Sequence, residues 1–489
     1  MKKLEQLLAR MEYTLKQGST DIEISHLVYD SRCVERDCVF VCIDGTRTDG
    51  HAYIAQAAQE GASAVIVSKE VVAPANVTVI QVADTRYALA LLSAAWFDHP
   101  ADKLKVIGIT GTKGKTTTTY MVKSILEQAG YKVGLIGTIE AIMGEEAIPA
   151  NNTTPESYIV QEYFRKMLDA GCTLAVMEVS SQGLMMHRSA GFVFEIGVFT
   201  NIEPDHIAPD EHADFADYMQ CKGRLFKQCH IGIVNIDDQN CSEVIKGHTC
   251  TIETFGFSSK ADICATNTKL VSKPGYLGVS YTVSGLVNGN VEIDVPGKFS
   301  VYNSLMAIAI CRHFDVALQN MQRALKQAKV KGRIEIIDVS DSFTLMIDYA
   351  HNAMSLESLL IALREYQPKR LVTVFGCGGN RAKMRRYEMG EVSGRLSDVT
   401  IITSDNPRDE DPQEIIEDIK IGLAKTKSDF VEIIDRKEAI RYAILHGQPG
   451  DVIVLAGKGH EDYQEIKGVK YPMDERNLIA EILQESQKL

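Results

Sequence analysis

Lys115 and Thr116 close a glycine-punctuated stretch, Gly108-Ile109-Thr110-Gly111-Thr112-Lys113-Gly114-Lys115-Thr116, whose residue types suit a phosphate. Glycines let backbone N–H groups curl around an anion, and the start of a following helix adds the positive end of its dipole. The lysine reaches β- and γ-oxygens, and the threonine hydroxyl can ligate Mg²⁺. The implied ligand is a nucleoside triphosphate. The spacing departs from the usual phosphate loop, because five residues and not four separate Gly108 from Gly114. Mg²⁺ on a triphosphate wants further hard oxygens, which a carboxylate at a neighbouring strand end can supply. Glu178, in Met177-Glu178-Val179-Ser180-Ser181, follows an apolar run and fits that place. His206 could hold a second cation, although a lone histidine is as often structural.

These residues need a strand, a loop and a helix in that order. The apolar run before Gly108 supplies the strand. Met121, Val122, Ile125, Leu126 and Ala129 then recur at helical spacing up to a stop at Gly130. Further strands are expected at residues 132–138, 174–180 and 195–200, alternating with helices as in a parallel sheet. Ligands gather at the carboxyl ends of such strands, where Glu178 and Asp205-His206 fall. Residues 251–295 turn to short β runs, with Asn288-Gly289 as a hairpin turn, and read as a β insertion.

Either side of this nucleotide domain, taken as residues 104–330, lie two other α/β regions. Residues 1–103 predict helices at 4–13, 52–60 and 85–97 and strands at 38–43, 64–67 and 77–82. Two of their loops, residues 29–32 and 45–51, set hydroxyls beside an arginine. Residues 331–489 predict strands at 343–347, 371–375, 399–403, 431–434 and 452–455. Each leads into a polar or glycine-rich loop, so a second doubly wound sheet with its loops along one edge is expected.

A length of 489 residues accommodates about three domains. No apolar run approaches a membrane span, and Met1-Lys2-Lys3 leads into no signal-peptide core, so the expected location is cytoplasmic, without membrane insertion. A net charge of −13 without any basic cluster argues against a nucleic-acid partner, and an anionic substrate would need a local basic pocket. Eleven cysteines without metal-ligand spacing argue against a disulfide framework. Cys38 and Cys42 alternate with apolar residues as in a buried strand.

Taken together, residues 110–116, 177–181 and Thr200-Asn201-Ile202-Glu203-Pro204-Asp205-His206 resemble the Mur ligases, ATP-dependent amide-forming enzymes of peptidoglycan precursor synthesis. Within that group, Asp30-Ser31-Arg32, Asn152-Thr153-Thr154-Pro155, Asp405-Asn406-Pro407-Arg408 and Gly457-Lys458-Gly459-His460-Glu461 are similar to the UDP-N-acetylmuramoyl-tripeptide synthetases. The resemblance implies an α/β, three-domain Mur ligase architecture with a central P-loop ATPase parallel sheet and a Rossmann-like C-terminal domain. It also implies that ATP phosphorylates a substrate carboxylate and that an amino acid's amine attacks the acyl phosphate. Lys115, Glu178, His206 and Lys222 become the catalytic set, with Thr116, Glu178, His206 and a carbamylated Lys222 as the Mg²⁺ ligands. A protonated lysine cannot ligate a cation, whereas its carbamate offers oxygen. From the residues alone, Lys222 reads as an ordinary charge on a helix face.

The same resemblance assigns ATP to Gly111, Thr112, Lys113, Gly114, Lys115, Thr116, Thr117, Asn303, Arg333, Asp348 and His351. It assigns the UDP-muramoyl-dipeptide to Tyr29, Ser31, Thr46, Arg47, Thr48, Asn152, Thr153, Thr154, Ser180 and Arg188. The incoming amino acid falls to Arg381, Asp405, Asn406, Pro407, Arg408, Gly457 and Glu461. An arginine forks onto a carboxylate, so Arg408 suits a substrate with a second carboxylate, meso-diaminopimelate, with L-lysine as the alternative. A monomer with small-molecule partners is expected. Gln182, Met186 and Ser300 depart from residues common in the family. Folylpolyglutamate synthetase shares the ATP domain, but it needs neither the first domain nor the Asn-Pro-Arg loop.

Overall fold

The structure is a computed structural model and describes residues 1–45, 48–204, 207, 211–273 and 275–486. Packing divides the chain into two compact units. One comprises residues 1–264 and 305–320, the other residues 265–304 and 321–489.

The first unit holds two main sheets, beside a short pairing of Lys2–Lys3 with Glu23–Ile24. The smaller orders its strands Thr14–Gln17, Thr78–Gln81, Ala64–Val67, Val39–Val41 and Leu27–Val28, parallel except for the first pair. Its β-branched strands bury Val39, Val41, Ile66 and Ile80 against Leu89 and Leu92 of helix Thr85–Trp96. Asp84 caps that helix by accepting from the N–H groups of Arg86 and Tyr87. The expected helix over residues 4–13 is shorter, Leu4–Leu7. Residues 8–13 form a turn and a short link instead, which lead directly into strand Thr14–Gln17, where Thr14 and Leu15 pair with Gln81 and Ile80. Cys38 and Cys42 flank a buried strand as expected.

The larger sheet of this unit runs in the order Glu146–Pro149, Glu140–Met143, Val133–Ile136, Leu174–Glu178, Lys105–Thr110, Phe194–Phe199, Cys229–Asn235 and Thr251–Gly256. From Val133–Ile136 onward all pairings are parallel, and the central strands are buried along nearly their whole length. Continuous apolar runs are what a sheet covered on both faces requires. Helix Lys115–Gln128 buries Met121, Val122, Ile125 and Leu126, the residues whose spacing predicted it.

In the second unit six strands order as Glu335–Ile337, Thr344–Asp348, Asp451–Ala456, Arg370–Phe375, Val399–Ile402 and Asp429–Glu432. All pairings are parallel except the first. The carboxyl ends of four parallel strands therefore place the loops after Asp348, Phe375, Ile402 and Ala456 on one edge, as expected. A hairpin of Tyr463–Ile466 and Val469–Pro472 was not predicted. Strands Tyr276–Gly285 and Gly289–Ile293 also form a hairpin. Gly289 pairs with Val283, so Asn288-Gly289 ends the turn; the Asn288 side chain tightens it by donating to Gly285 O at 2.9 Å. No helix among the described residues is long and apolar enough to cross a membrane.

Candidate active site

The strand Lys105–Thr110 lies between Leu174–Glu178 and Phe194–Phe199, with Ile109 opposite Glu178 and Thr110 opposite Phe199. Parallel register thus delivers the glycine loop, Glu178 and Thr200 to one edge. Gly111 has φ +145° and Gly114, just before the helix, φ +85°. A Cβ on Gly111 would stand 1.9 Å from Thr200 Oγ1, so only glycine fits. Thr200-Asn201 mould the loop. Lys113 N donates to Asn201 Oδ1 at 2.9 Å, Thr112 N to Asn201 O at 2.9 Å, and Thr200 Oγ1 to Lys113 O at 2.7 Å.

Lys115 Nζ folds back over this loop, donating to Gly111 O at 2.8 Å and Thr112 O at 3.1 Å. The Glu178 carboxylate is fully buried. It accepts from Thr116 Oγ1 at 3.0 Å, Thr138 Oγ1 at 3.0 Å and Thr138 N at 2.8 Å. Lys222 Nζ is buried too, donating to Gly111 O at 3.1 Å and lying 4.4 Å from the Tyr218 ring. A hydroxyl and a carboxylate, both hard oxygen donors, thus meet beside a glycine cradle that a single Cβ would fill. That donor set fits Mg²⁺ on a triphosphate. His206 lies outside the described residues.

Next to Glu178, Thr154 Oγ1 donates to the Glu178 carbonyl at 2.9 Å and accepts from Ser180 N at 2.9 Å. Thr153 Oγ1 meets Thr138 Oγ1 at 3.0 Å, and Arg188 Nη1 donates to Thr154 O at 3.2 Å. The structure therefore gathers Thr153, Thr154, Ser180 and Arg188 around the end of one strand, while Asn152 is exposed. Tyr29 packs 5.9 Å from the Tyr158 ring, and burial, with Glu156 adding to it, pushes its phenol up to about 12. Ser31 opens a turn capped by Asp30. Thr48 is exposed, and Thr46 and Arg47 lie outside the described residues.

In the second unit, Asp348 ends its strand and accepts from Ile334 N at 2.9 Å and Ala350 N at 2.8 Å. Burial raises its pKa, opposed by the nearby Arg333 guanidinium. Arg333 stacks 4.7 Å over the Tyr349 ring, and His351 Nδ1 meets Tyr349 O at 2.8 Å. Asn303 is buried on helix Lys298–Cys311.

The loops after Phe375, Ile402 and Ala456 interlock. Asn406 Nδ2 donates to Glu461 Oε2 at 2.9 Å, while Lys458 Nζ donates to Asn406 Oδ1 at 2.9 Å and Glu461 Oε2 at 2.7 Å. Gly379 N donates to Asn406 O at 2.9 Å, and Arg408 Nη1 to Gly379 O at 2.7 Å. Gly457, φ +109°, approaches so closely that a Cβ would lie 2.8 Å from Asp405 Oδ2. Arg381 is exposed on the rim.

Sequence reasoning gave no role to Thr138, to Lys458 within its motif, or to the hairpin residues Gln464 and Glu465. Thr138 could have been noticed as a hydroxyl directly after an apolar run. Gln464 Nε2 donates to Asp405 O at 2.7 Å, a contact across 59 residues that has no local signal. His212 was also passed over; its ring nitrogens bridge Ser181 Oγ at 2.8 Å and Asp217 Oδ2 at 2.9 Å, bracing the segment before Lys222.

Comparison with known proteins gives the family of the chain. Residues 23–97 match the Mur ligase family catalytic domain, residues 109–311 the Mur ligase middle domain, and residues 332–459 the Mur ligase glutamate ligase domain. A protein of Clostridium acetobutylicum, named UDP-N-acetylmuramoyl-L-alanyl-D-glutamate--2,6-diaminopimelate ligase 1, is 43% identical, with 99% of each chain covered. The chain belongs to the Mur ligase family. A Caldanaerobacter subterraneus protein bearing the same ligase name is 41% identical, over 99% of this chain and 100% of its own. A solved structure titled as that ligase has 27% identity and a TM-score of 0.74, covering 99% of both chains. Mycobacterium tuberculosis folylpolyglutamate synthase, at 16% identity and TM-score 0.59 over 76% of this chain and 92% of its own, shares the Mur ligase fold alone.

Proposed function

We propose that this Mur ligase adds meso-2,6-diaminopimelate to UDP-N-acetylmuramoyl-L-alanyl-D-glutamate, converting ATP to ADP and phosphate in peptidoglycan precursor synthesis. The observation that carries this reading is identity near 40% over nearly the whole chain to proteins named for that reaction. The carboxylate-binding chemistry of Arg408 supports it.

A carboxylate is a poor electrophile until its oxygen is phosphorylated. Lys115 and the loop N–H groups would bind and orient the triphosphate, and their fixed positive charge would stabilise the transferring phosphoryl group. Mg²⁺, when bound, would neutralise charge on the phosphate oxygens, and Thr116, Glu178, His206 and a carbamylated Lys222 would hold it. Thr138 keeps the Glu178 carboxylate aimed at Thr116. Thr153, Thr154, Ser180 and Arg188 would position the dipeptide carboxylate, with Tyr29, Ser31 and Thr46 to Thr48 at the uridine end. Arg333, Asp348, His351 and Asn303 would contact the nucleotide. Arg381, Asp405 to Arg408, Gly457 and Glu461 would receive the amino acid whose amine displaces phosphate from the acyl carbon. Such a pathway step fits a cytoplasmic enzyme.

Phosphate release tests the reading, measured with ATP, Mg²⁺ and the UDP-muramoyl-dipeptide and with meso-diaminopimelate, L-lysine or L-ornithine as acceptor. Release that needs both the dipeptide and diaminopimelate is expected. Release with L-lysine alone would overturn the acceptor assignment.

A further inference from the structure

Arg408, the residue that suits a second carboxylate, is held from an unexpected direction. Its φ of +52° lies in the left-handed region, where a long side chain is strained and persists only if its surroundings determine it. The hairpin strand Tyr463–Ile466 supplies that determination. Arg408 N donates to Glu465 O at 3.0 Å, and Arg408 O accepts from Lys467 N at 2.8 Å. The side chain is gripped as well, because Nε donates to Glu465 Oε2 at 3.1 Å and Nη1 to Gly379 O at 2.7 Å. Glu465 N in turn donates to Asn406 Oδ1 at 2.9 Å. One residue therefore touches the backbone of Arg408, its guanidinium and the neighbouring Asn406.

A guanidinium carries five N–H donors in a rigid plane. Nε and Nη1 are committed, which fixes the plane, and among the described residues Nη2 has no hydrogen-bond acceptor, so it can serve another. The geometry points to Glu465 as a positioning residue that sets the specificity of the amino-acid pocket, orienting the Arg408 fork toward the side-chain carboxylate of a diamino dicarboxylic acid. This inference rests on the ligase reading above. The physical reason is pre-organisation: an arginine already held in its binding rotamer loses less freedom when its substrate docks. Both side chains are about one-quarter exposed, so removing Glu465 leaves no buried cavity.

The test is a double-mutant cycle on the full-length enzyme with Glu465→Ala, Arg408→Ala and both together, and with Glu465→Gln as the conservative variant. Glu465→Ala is expected to raise KM for meso-diaminopimelate about tenfold, the size of one charge-assisted contact, with kcat within about twofold. KM for ATP should not move. Glu465→Gln, whose amide oxygen still accepts from Nε, should recover most of the loss, and the double variant should be no worse than Arg408→Ala alone. Unchanged KM in Glu465→Ala, additive losses in the double variant, or equal rises in KM for ATP and diaminopimelate would each overturn the inference. Complete inactivity of both Glu465 variants would do the same, marking the residue as structural. A wild-type enzyme that releases no phosphate with diaminopimelate would instead overturn the functional reading, and this inference with it.

Discussion

Glu178 concentrates the chemistry of the first unit at a single side chain. Three donors from two threonines hold its carboxylate in a site closed to solvent, and one of them is the hydroxyl at the helix start. Glu178→Gln keeps the shape and removes the charge. It should lower kcat by about 10²-fold or more, in the range seen when one electrostatic contact to a reacting group is lost, with little change in melting temperature. Steady-state phosphate release and a thermal melt check both halves of that statement. His460 gives a pH prediction. Burial, reinforced by Arg333, Lys331 and Arg476, depresses its pKa from 6.5 to about 4, so the folded chain keeps the ring neutral. Between those two values the unfolded chain binds the extra proton and the folded chain does not. Stability is therefore lost as the pH falls from 6.5 toward 4 and the loss levels off below that. In urea titrations at neutral pH and at about pH 4.5, His460→Gln should lose less stability on acidification than the wild type. Glu178 and the loop lysine were legible in the sequence because their neighbours announce them, an apolar run in one case and glycines in the other. Thr138 carries the same kind of signal, a hydroxyl after an apolar run, but Glu465 carries none.

Elements follow the same division. Strand, loop and helix around Lys115 were legible because hydrophobic periodicity changes from continuous to helical across a glycine cluster, and the structure places Lys105–Thr110 and Lys115–Gln128 there. The loop between them tolerates no side chain at Gly111. Gly111→Ala would drive a Cβ into Thr200 Oγ1 at φ +145°, and the loop must shift. Backbone strain of this kind costs about 1–3 kcal/mol, so a lower melting temperature and loss of ADP binding by calorimetry are expected together. ADP affinity at the wild-type level would refute the close approach. The hairpin Tyr463–Ile466 with Val469–Pro472 escaped notice because it lacks a buried face, one strand being half-buried and the other exposed. Without alternation there is no period to read.

At the scale of the molecule, length and composition implied several domains, whereas packing decided which segments share a core. Residues 265–304 pack with residues 321–489. Tyr366 Oη donates to Gly278 O at 2.7 Å and accepts from Gly297 N at 3.3 Å, and Val279, Tyr281 and Ile293 are buried. A fragment of residues 1–320 would keep this segment and lose what covers it. It should bind a hydrophobic dye and aggregate, while the full chain does neither. A monodisperse, dye-silent fragment would show that residues 265–304 need no partner from the second unit.

By itself the sequence determined the kind of chemistry, the strand, loop and helix around Lys115, and the family, because residue type and hydrophobic period are local properties that sequence displays directly. Tertiary structure decided which side chains meet. Thr116 reaches Glu178 across 62 residues, Lys458 reaches Asn406 across 52, and Arg408 reaches Glu465 across 57. Such pairs depend on the parallel register of strands distant in the chain and, for Arg408, on a hairpin that folds back over its loop, so no period or motif around either partner records them.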